Sequence, residues 1–216
     1  MVTRGNINLI KTSYRAFKLQ TYTNKELVIV FDKPNDELRQ LVKDDSEVVL
    51  VEVEPNYTLG KLRNISVSNA SGEFICQWDD DDLYAPERIS ICMHVLQSSD
   101  ADVVFLKRWI LWWEKRKLLS VSNYTAWEGS IFAKKSIMID YPPMSKGEDT
   151  FMTVHLQTHH KCKLFDTPQL YCYRITGENT WDETFHENLF SNASKVYTPE
   201  EFESVFKFPC FIPLNE

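Results

Sequence analysis

Three short apolar runs set the possible folds of this chain: Glu26-Leu27-Val28-Ile29-Val30-Phe31, Glu47-Val48-Val49-Leu50-Val51 and Glu73 to Trp78. Runs of that length bounded by polar residues read as buried strands. Helical patterns lie around them. Asn8 to Gln20 carries apolar residues at Leu9, Ile10, Tyr14, Phe17 and Leu19, Pro34 to Val42 has its proline near the start, and Leu59 to Ala70 precedes the third run. Strands alternating with helices predict βαβ units and a mainly parallel sheet with helices on both faces. Ligands of such sheets bind beyond the carboxyl ends of the strands. Three polar groups fall at those ends: Thr3-Arg4 after a first strand cut short by the start of the chain, Asp32, and Asp79 to Asp82.

The last of these carries the most chemistry. An apolar run ending in four consecutive aspartates cannot bury all of them ionised, because desolvation and mutual repulsion raise their pKa values. A hard divalent cation that also holds a phosphate group answers that charge. A solvated acidic turn is the bland alternative. A calcium loop is disfavoured because Leu83 and Tyr84 stand where its ligands would continue. An aspartyl phosphatase with Asp79 as nucleophile and Asp81 two residues on fits locally.

A chain of 216 residues with net charge −7 makes one compact domain and disfavours nucleic acid or an anionic membrane as partner. Five cysteines, an odd number without C-x-x-C spacing, read as reduced thiols of a cytoplasmic protein. No apolar run reaches the length of a membrane span.

After Pro86 a helix runs to about Leu96 with Ile89, Cys92, Met93 and Leu96 on one face. Asp102 to Leu106, Trp109 to Trp113 and Lys117 to Val121 predict strands joined by tight turns, a small antiparallel extension. Gly147-Glu148-Asp149 opens a helix carrying Phe151, Met152, Val154 and Leu156, and Leu170 to Ile175 reads as a strand. Thr198-Pro199-Glu200-Glu201 has the form of a capping box. The apolar tail Phe208 to Pro213 could pack on the domain or lead into a further domain of a longer protein. His155 and His159, spaced as on a zinc-protease helix, lack the glutamate that motif needs: position 156 is Leu156. Tryptophans 109, 112, 113 and 127 could stack on a sugar, although aromatics in strand-like runs are more often core.

Taken in order, Val2-Thr3-Arg4-Gly5-Asn6, the strand ending at Asp32, Leu59-Gly60-Lys61-Leu62-Arg63-Asn64, Ala70 to Ile75, Trp78 to Asp82 with Pro86-Glu87-Arg88, and Gly147-Glu148-Asp149 resemble the GT-A-fold glycosyltransferases of the family 2 type. The resemblance runs from Val2 to about Trp181. It implies a single α/β domain over 1–216, its nucleotide-binding part within about 1–100 and its acceptor side within about 101–216. It implies an inverting transfer from a nucleotide-diphosphate sugar, UDP-sugar favoured, to a glycan or other hydroxyl, with Mn²⁺ or Mg²⁺. Carried over, Asp32 contacts the base, with Thr3 and Arg4 in the same pocket and Arg63 near base or pyrophosphate. Asp79 lies toward the ribose with Asp80 beside it, Asp81 binds the metal, and Asp149 is the general base. Trp127 and Glu128 shape the donor-sugar and acceptor side. Many relatives place a metal-holding histidine in the segment like Tyr173 to Trp181; here Thr176 or a neighbour stands there, and His186 is the substitute this reading names. A phosphatase, or a non-catalytic sugar-nucleotide or glycan-binding module, stays as the alternative.

Overall fold

The structure, a computed structural model, describes residues 1–198 and Glu201. Strand β1 (Val2–Thr3) leads into helix α1 (Ile7–Lys18), then β2 (Leu27–Phe31), α2 (Asp36–Val42), β3 (Val48–Glu52), α3 (Leu59–Asn69) and β4 (Phe74–Cys76). The second half holds β5 (Leu83–Tyr84), α4 (Arg88–Ser98), β6 (Val103–Leu106), β7 (Ile110–Trp113), β8 (Leu118–Val121) and β9 (Phe132–Lys134). Helix α5 (Glu148–His159), β10 (Cys162–Phe165), β11 (Tyr171–Ile175), α6 (Glu183–Ser191) and β12 (Lys195–Tyr197) complete the described elements.

Helix starts follow side-chain caps. Asn6, Asn35, Thr58 and Asp182 each accept a backbone N–H of the first turn of α1, α2, α3 and α6. Asn35 is why α2 begins at Asp36: Pro34 lies before the cap rather than inside the helix.

β1, β2 and β3 form a parallel sheet in that order. Successive residues of β2 point to opposite faces. Leu27, Ile29 and Phe31 join the core built with Phe17 of α1, Leu38 of α2 and Cys92 of α4. Val28 and Val30 pack on Leu62 of α3. Helices therefore cover both faces, as the alternation predicts.

The second half departs from its predicted layout. β7 and β8 make the expected antiparallel hairpin, but β6 does not join it. It pairs instead with β9 and β10 in a mixed sheet that also holds β4. The hairpin lies in a third sheet, ordered β12-β8-β7-β11-β5. On α5 the buried face is Glu148, Met152 and Leu156 at four-residue spacing, so Phe151 and Val154 stay exposed. Thr198 and Glu201 make the reciprocal bonds of a capping box. Pro199, Glu200, Cys210 and the Phe208 to Pro213 tail lie outside the described residues.

Candidate active site

The turn after β4 is held from beneath. Trp78 is buried, its indole N–H 2.9 Å from Ser13 Oγ, and its ring centroid lies 3.9 Å from that of Tyr84. The Tyr84 hydroxyl accepts from the Asp79 amide at 2.7 Å, and Ser13 donates to the Asp79 carbonyl at 3.0 Å. β5 then pairs antiparallel with β11. The four carboxylates are thus presented by a turn with little freedom.

Each carboxylate meets a different partner. Asp79 accepts from Arg63 Nη1 at 2.9 Å and from Gln77 at 3.4 Å. Asp80 accepts from the Thr3 hydroxyl. Asp81 accepts from Asn179 Nδ2 at 2.9 Å. Asp82 is buried with both oxygens engaged, by the Tyr171 hydroxyl and by the Arg174 amide at 2.9 Å.

The electrostatics follow from those partners. Burial pushes Asp79 up, but Arg63 beside it wins and holds its carboxyl below the ordinary range. Among the described residues no Lys or Arg pairs with the other three, and the N-terminal amine near Asp80 and Arg88 near Asp82 oppose the rise only weakly. Burial raises Asp80 to about 6 and Asp82 to about 7, with Asp79 adding to both. Asp81 goes well above its ordinary value through burial and the charges of Asp82, Asp80 and Asp79. The turn is short of positive charge.

Opposite it, α5 begins at Gly147, whose φ of 73° lies in the left-handed region that suits glycine. Glu148 is buried and accepts from Arg63 Nε at 2.7 Å. Asp149 follows. Position in the first helical turn favours an ionised carboxyl, yet burial raises the Asp149 pKa, with Arg63 opposing and Asp79 adding to the rise. Desolvation outweighs the helix end here.

These groups meet on one cleft of about 200 Å³, with Thr3, Arg4, Arg63, Asp79 to Asp82 and Asp149 in its walls. A larger cavity of about 720 Å³ opens among Lys25, Glu47, Gly72, Phe74 and Met93, away from all of these carboxylates. The chemistry selects the smaller space.

The remaining predicted residues fall outside that lining. Asp32 lies just past the end of β2, and its buried Oδ1 has no partner among the described residues. Trp127 is core: its ring stacks on Trp109 with centroids 4.4 Å apart, and its N–H donates to the Asn123 carbonyl at 3.2 Å. Glu128 accepts from Thr150 of α5 at 3.5 Å, and its carboxyl is raised by burial and by Asp149. His186 is buried between Trp113, Tyr173 and Phe185, and reaches the cleft only through the Tyr173 hydroxyl, 3.3 Å from its Nε2. Aromatic packing claims it, and no contact joins it to the aspartates. Among the described residues no three of His, Cys, Asp and Glu group as a metal site.

Sequence reasoning missed Glu148, Asn179, Lys146 and Trp181. All four line the cleft. Glu148 enters the sequence reading only beside Asp149 in the resemblance, with no role of its own. Asn179 lies in the Tyr173 to Trp181 segment, where the resemblance implies a histidine and an amide carries no ligand signature.

The profile of the glycosyl transferase family 2 matches residues 1–187. An uncharacterized glycosyltransferase of Methanocaldococcus jannaschii is 26% identical over 102 residues, 44% of this chain and 35% of the relative. Glycosyltransferase GlyG of Streptococcus pneumoniae is 30% identical over 89 residues, 39% of this chain and 30% of the relative. The chain therefore matches about a third of the length of these relatives. A crystal structure of S. aureus TarS superposes with TM-score 0.67 at 16% identity, over 88% of this chain and 68% of that one. Its complex with UDP-GlcNAc gives 0.65 at 18% identity, over 94% and 62%. At such identities the likeness is one of fold, a GT-A fold. Matched over residues 1–187, this chain belongs to glycosyl transferase family 2.

Proposed function

We propose that the chain is an inverting glycosyltransferase that moves a sugar from a nucleotide-diphosphate donor, UDP-sugar favoured, to an acceptor hydroxyl with a divalent cation assisting. The observation that carries this reading is the meeting of Asp149 with the charge-deficient Asp79 to Asp82 turn on one cleft. S. aureus TarS has been crystallised with UDP and with UDP-GlcNAc, which supports that donor class.

The donor set fits a hard cation. Asp79 and Asp82 are engaged by protein partners, whereas Asp81 and Asp80 have each a single side-chain donor. Mg²⁺-like ions are held by one or two carboxylates and completed by phosphate oxygens, so Asp81 with Asp80 would hold one. Bound there, Mn²⁺ or Mg²⁺ supplies positive charge beside the diphosphate that departs.

The chain's own residues do the rest. The unpartnered Asp32 Oδ1 is an acceptor for a base N–H, as on uracil. Arg4, exposed on the cleft wall, draws the phosphates. Asp149 takes the acceptor hydroxyl proton on its carboxylate as the sugar bond forms; a raised pKa makes it the stronger base. Glu128, joined to α5 through Thr150, faces the sugar side in this reading.

The alternatives lose support. A phosphatase needs Asp79 free as nucleophile, and both its oxygens are engaged. A binding module has no use for Asp149. A cytoplasmic setting suits the four described cysteines, all free thiols.

A thermal-shift screen of UDP, GDP, dTDP and CMP, each with Mn²⁺, Mg²⁺ or EDTA, tests the reading. A ligand at 100 times its Kd adds about 2.7 kcal/mol. Stabilisation by UDP that grows with metal is expected. No response to any diphosphate under any condition would overturn it.

A further inference from the structure

Among the described residues Asn179 is the one side chain from outside the acidic turn that hydrogen-bonds Asp81, and its hydrogen-bonding capacity is almost fully used. Its Nδ2 donates to Asp81 Oδ2 at 2.9 Å and to the Arg174 carbonyl at 2.8 Å. Its Oδ1 accepts from the Thr176 amide at 2.9 Å and more weakly from the Gly177 amide at 3.4 Å. The amide is therefore fixed in orientation by the turn it closes: the N–H side faces Asp81 and the carbonyl side faces backbone. Reversing it would set Oδ1 against the Asp81 carboxylate and the Arg174 carbonyl, two acceptors.

The same short stretch of β11 anchors two neighbouring aspartates. The Arg174 amide holds Asp82, and the Arg174 carbonyl holds Asn179, which holds Asp81. The turn is tied at its far side as well. Glu178 accepts from Asn6 at 2.8 Å, and Lys146 sits 4.0 Å over the Trp181 ring. Asn179 thus engages Asp81 Oδ2 and leaves Oδ1 free of any side-chain hydrogen bond among the described residues, while fixing the direction in which the carboxylate points.

From these contacts we infer that Asn179 is the positioning residue for Asp81: it holds that carboxylate in the orientation that serves a cation-bound diphosphate. The inference rests on the donor reading given above. It assigns to an amide, acting through Asp81 and not as a ligand, a task in the Tyr173 to Trp181 segment. A hydrogen bond donated to a half-buried carboxylate crowded by like charges is worth more than a neutral one.

The test is UDP affinity in saturating Mn²⁺ and in EDTA, by calorimetry, on the whole chain and on N179A and N179H, with Tm of the ligand-free proteins as the folding control. N179A should weaken UDP binding in Mn²⁺ about tenfold and leave binding in EDTA within about twofold. N179H restores an N–H donor and should recover most of the loss. A merely structural role shifts both conditions together, because a collapsed turn also displaces Glu178 and Trp181; that result, or no shift in either condition, overturns the inference. If N179A does not fold, N179H decides alone: a Mn²⁺ dependence like that of the unsubstituted chain supports the inference, and its loss overturns it. Failure of the unsubstituted chain to bind UDP at all would instead strike the donor reading.

Discussion

Arg63 bridges Asp79 and Glu148: its Nη1 lies 2.9 Å from Asp79 Oδ1 and its Nε 2.7 Å from Glu148 Oε1. One guanidinium on α3 thus ties the turn after β4 to the first turn of α5. It also explains why Asp79 alone of the four aspartates keeps a low pKa. Two of its five N–H donors thus face protein carboxylates, while the residue itself stays in the cleft wall.

Removing that bridge should be costly. R63A leaves the buried Glu148 without its cation and the half-buried Asp79 with Gln77 alone, and breaking a buried pair from one side costs roughly 3–5 kcal/mol. Urea denaturation of R63A should show a loss of that order. A loss under about 1 kcal/mol would mean that the carboxylates find other partners or water.

Asp149 separates chemistry from binding. D149N keeps the shape of the side chain and removes its basicity, so turnover should fall about 10²–10⁴-fold while UDP affinity stays within a few-fold. Parallel calorimetry and transfer assays check this. Equal losses in both would move Asp149 from base to binding group.

Gly60 is fixed by space alone. A Cβ there would lie 1.9 Å from the Pro142 carbonyl oxygen, which is backbone and cannot swing away, and the Gly60 amide donates to the Met144 carbonyl at 2.9 Å. G60A should push α3 from the 142–144 segment and destabilise by about 1–3 kcal/mol, the usual range for overpacking. Its melting temperature decides, since a shift near zero would mean that this segment moves freely.

Asp45 sets an acid limit away from the cleft. Lys18, 2.8 Å away, and the Tyr14 hydroxyl at 2.6 Å hold its carboxyl down to about 2. A folded pKa below the unfolded value, about 3.9, means the stabilisation is present above that pH and is lost as pH falls toward 2. Lys18 is partly exposed, so solvent screening limits the effect to about 1 kcal/mol. D45N should be less stable than the parent at pH 6 and nearly equal to it at pH 2, by denaturant midpoint at each pH.

The alternation of β2, β3 and β4 with helices, and the polar groups at strand ends, were legible in the sequence because burial imposes local periodicity. So was the electrostatic strain of four adjacent aspartates, since like charges at fixed spacing need no tertiary knowledge. The placement of β6 was not legible. Its partners β9 and β10 lie far away in the chain, and a four-residue apolar strand pairs equally well with several edges. His186 and Trp127 show the same limit from the side of the site: each reads as chemistry by residue type, and each is enclosed by aromatic rings brought from distant segments. By itself the sequence determined the fold class, the acidic turn and the carboxylate that opens α5. Only the tertiary structure decided that Arg63 answers Asp79, that Asn179 answers Asp81 and that no Lys or Arg among the described residues pairs with Asp80 to Asp82, because hydrogen bonds between residues tens of positions apart depend on packing that no local pattern encodes.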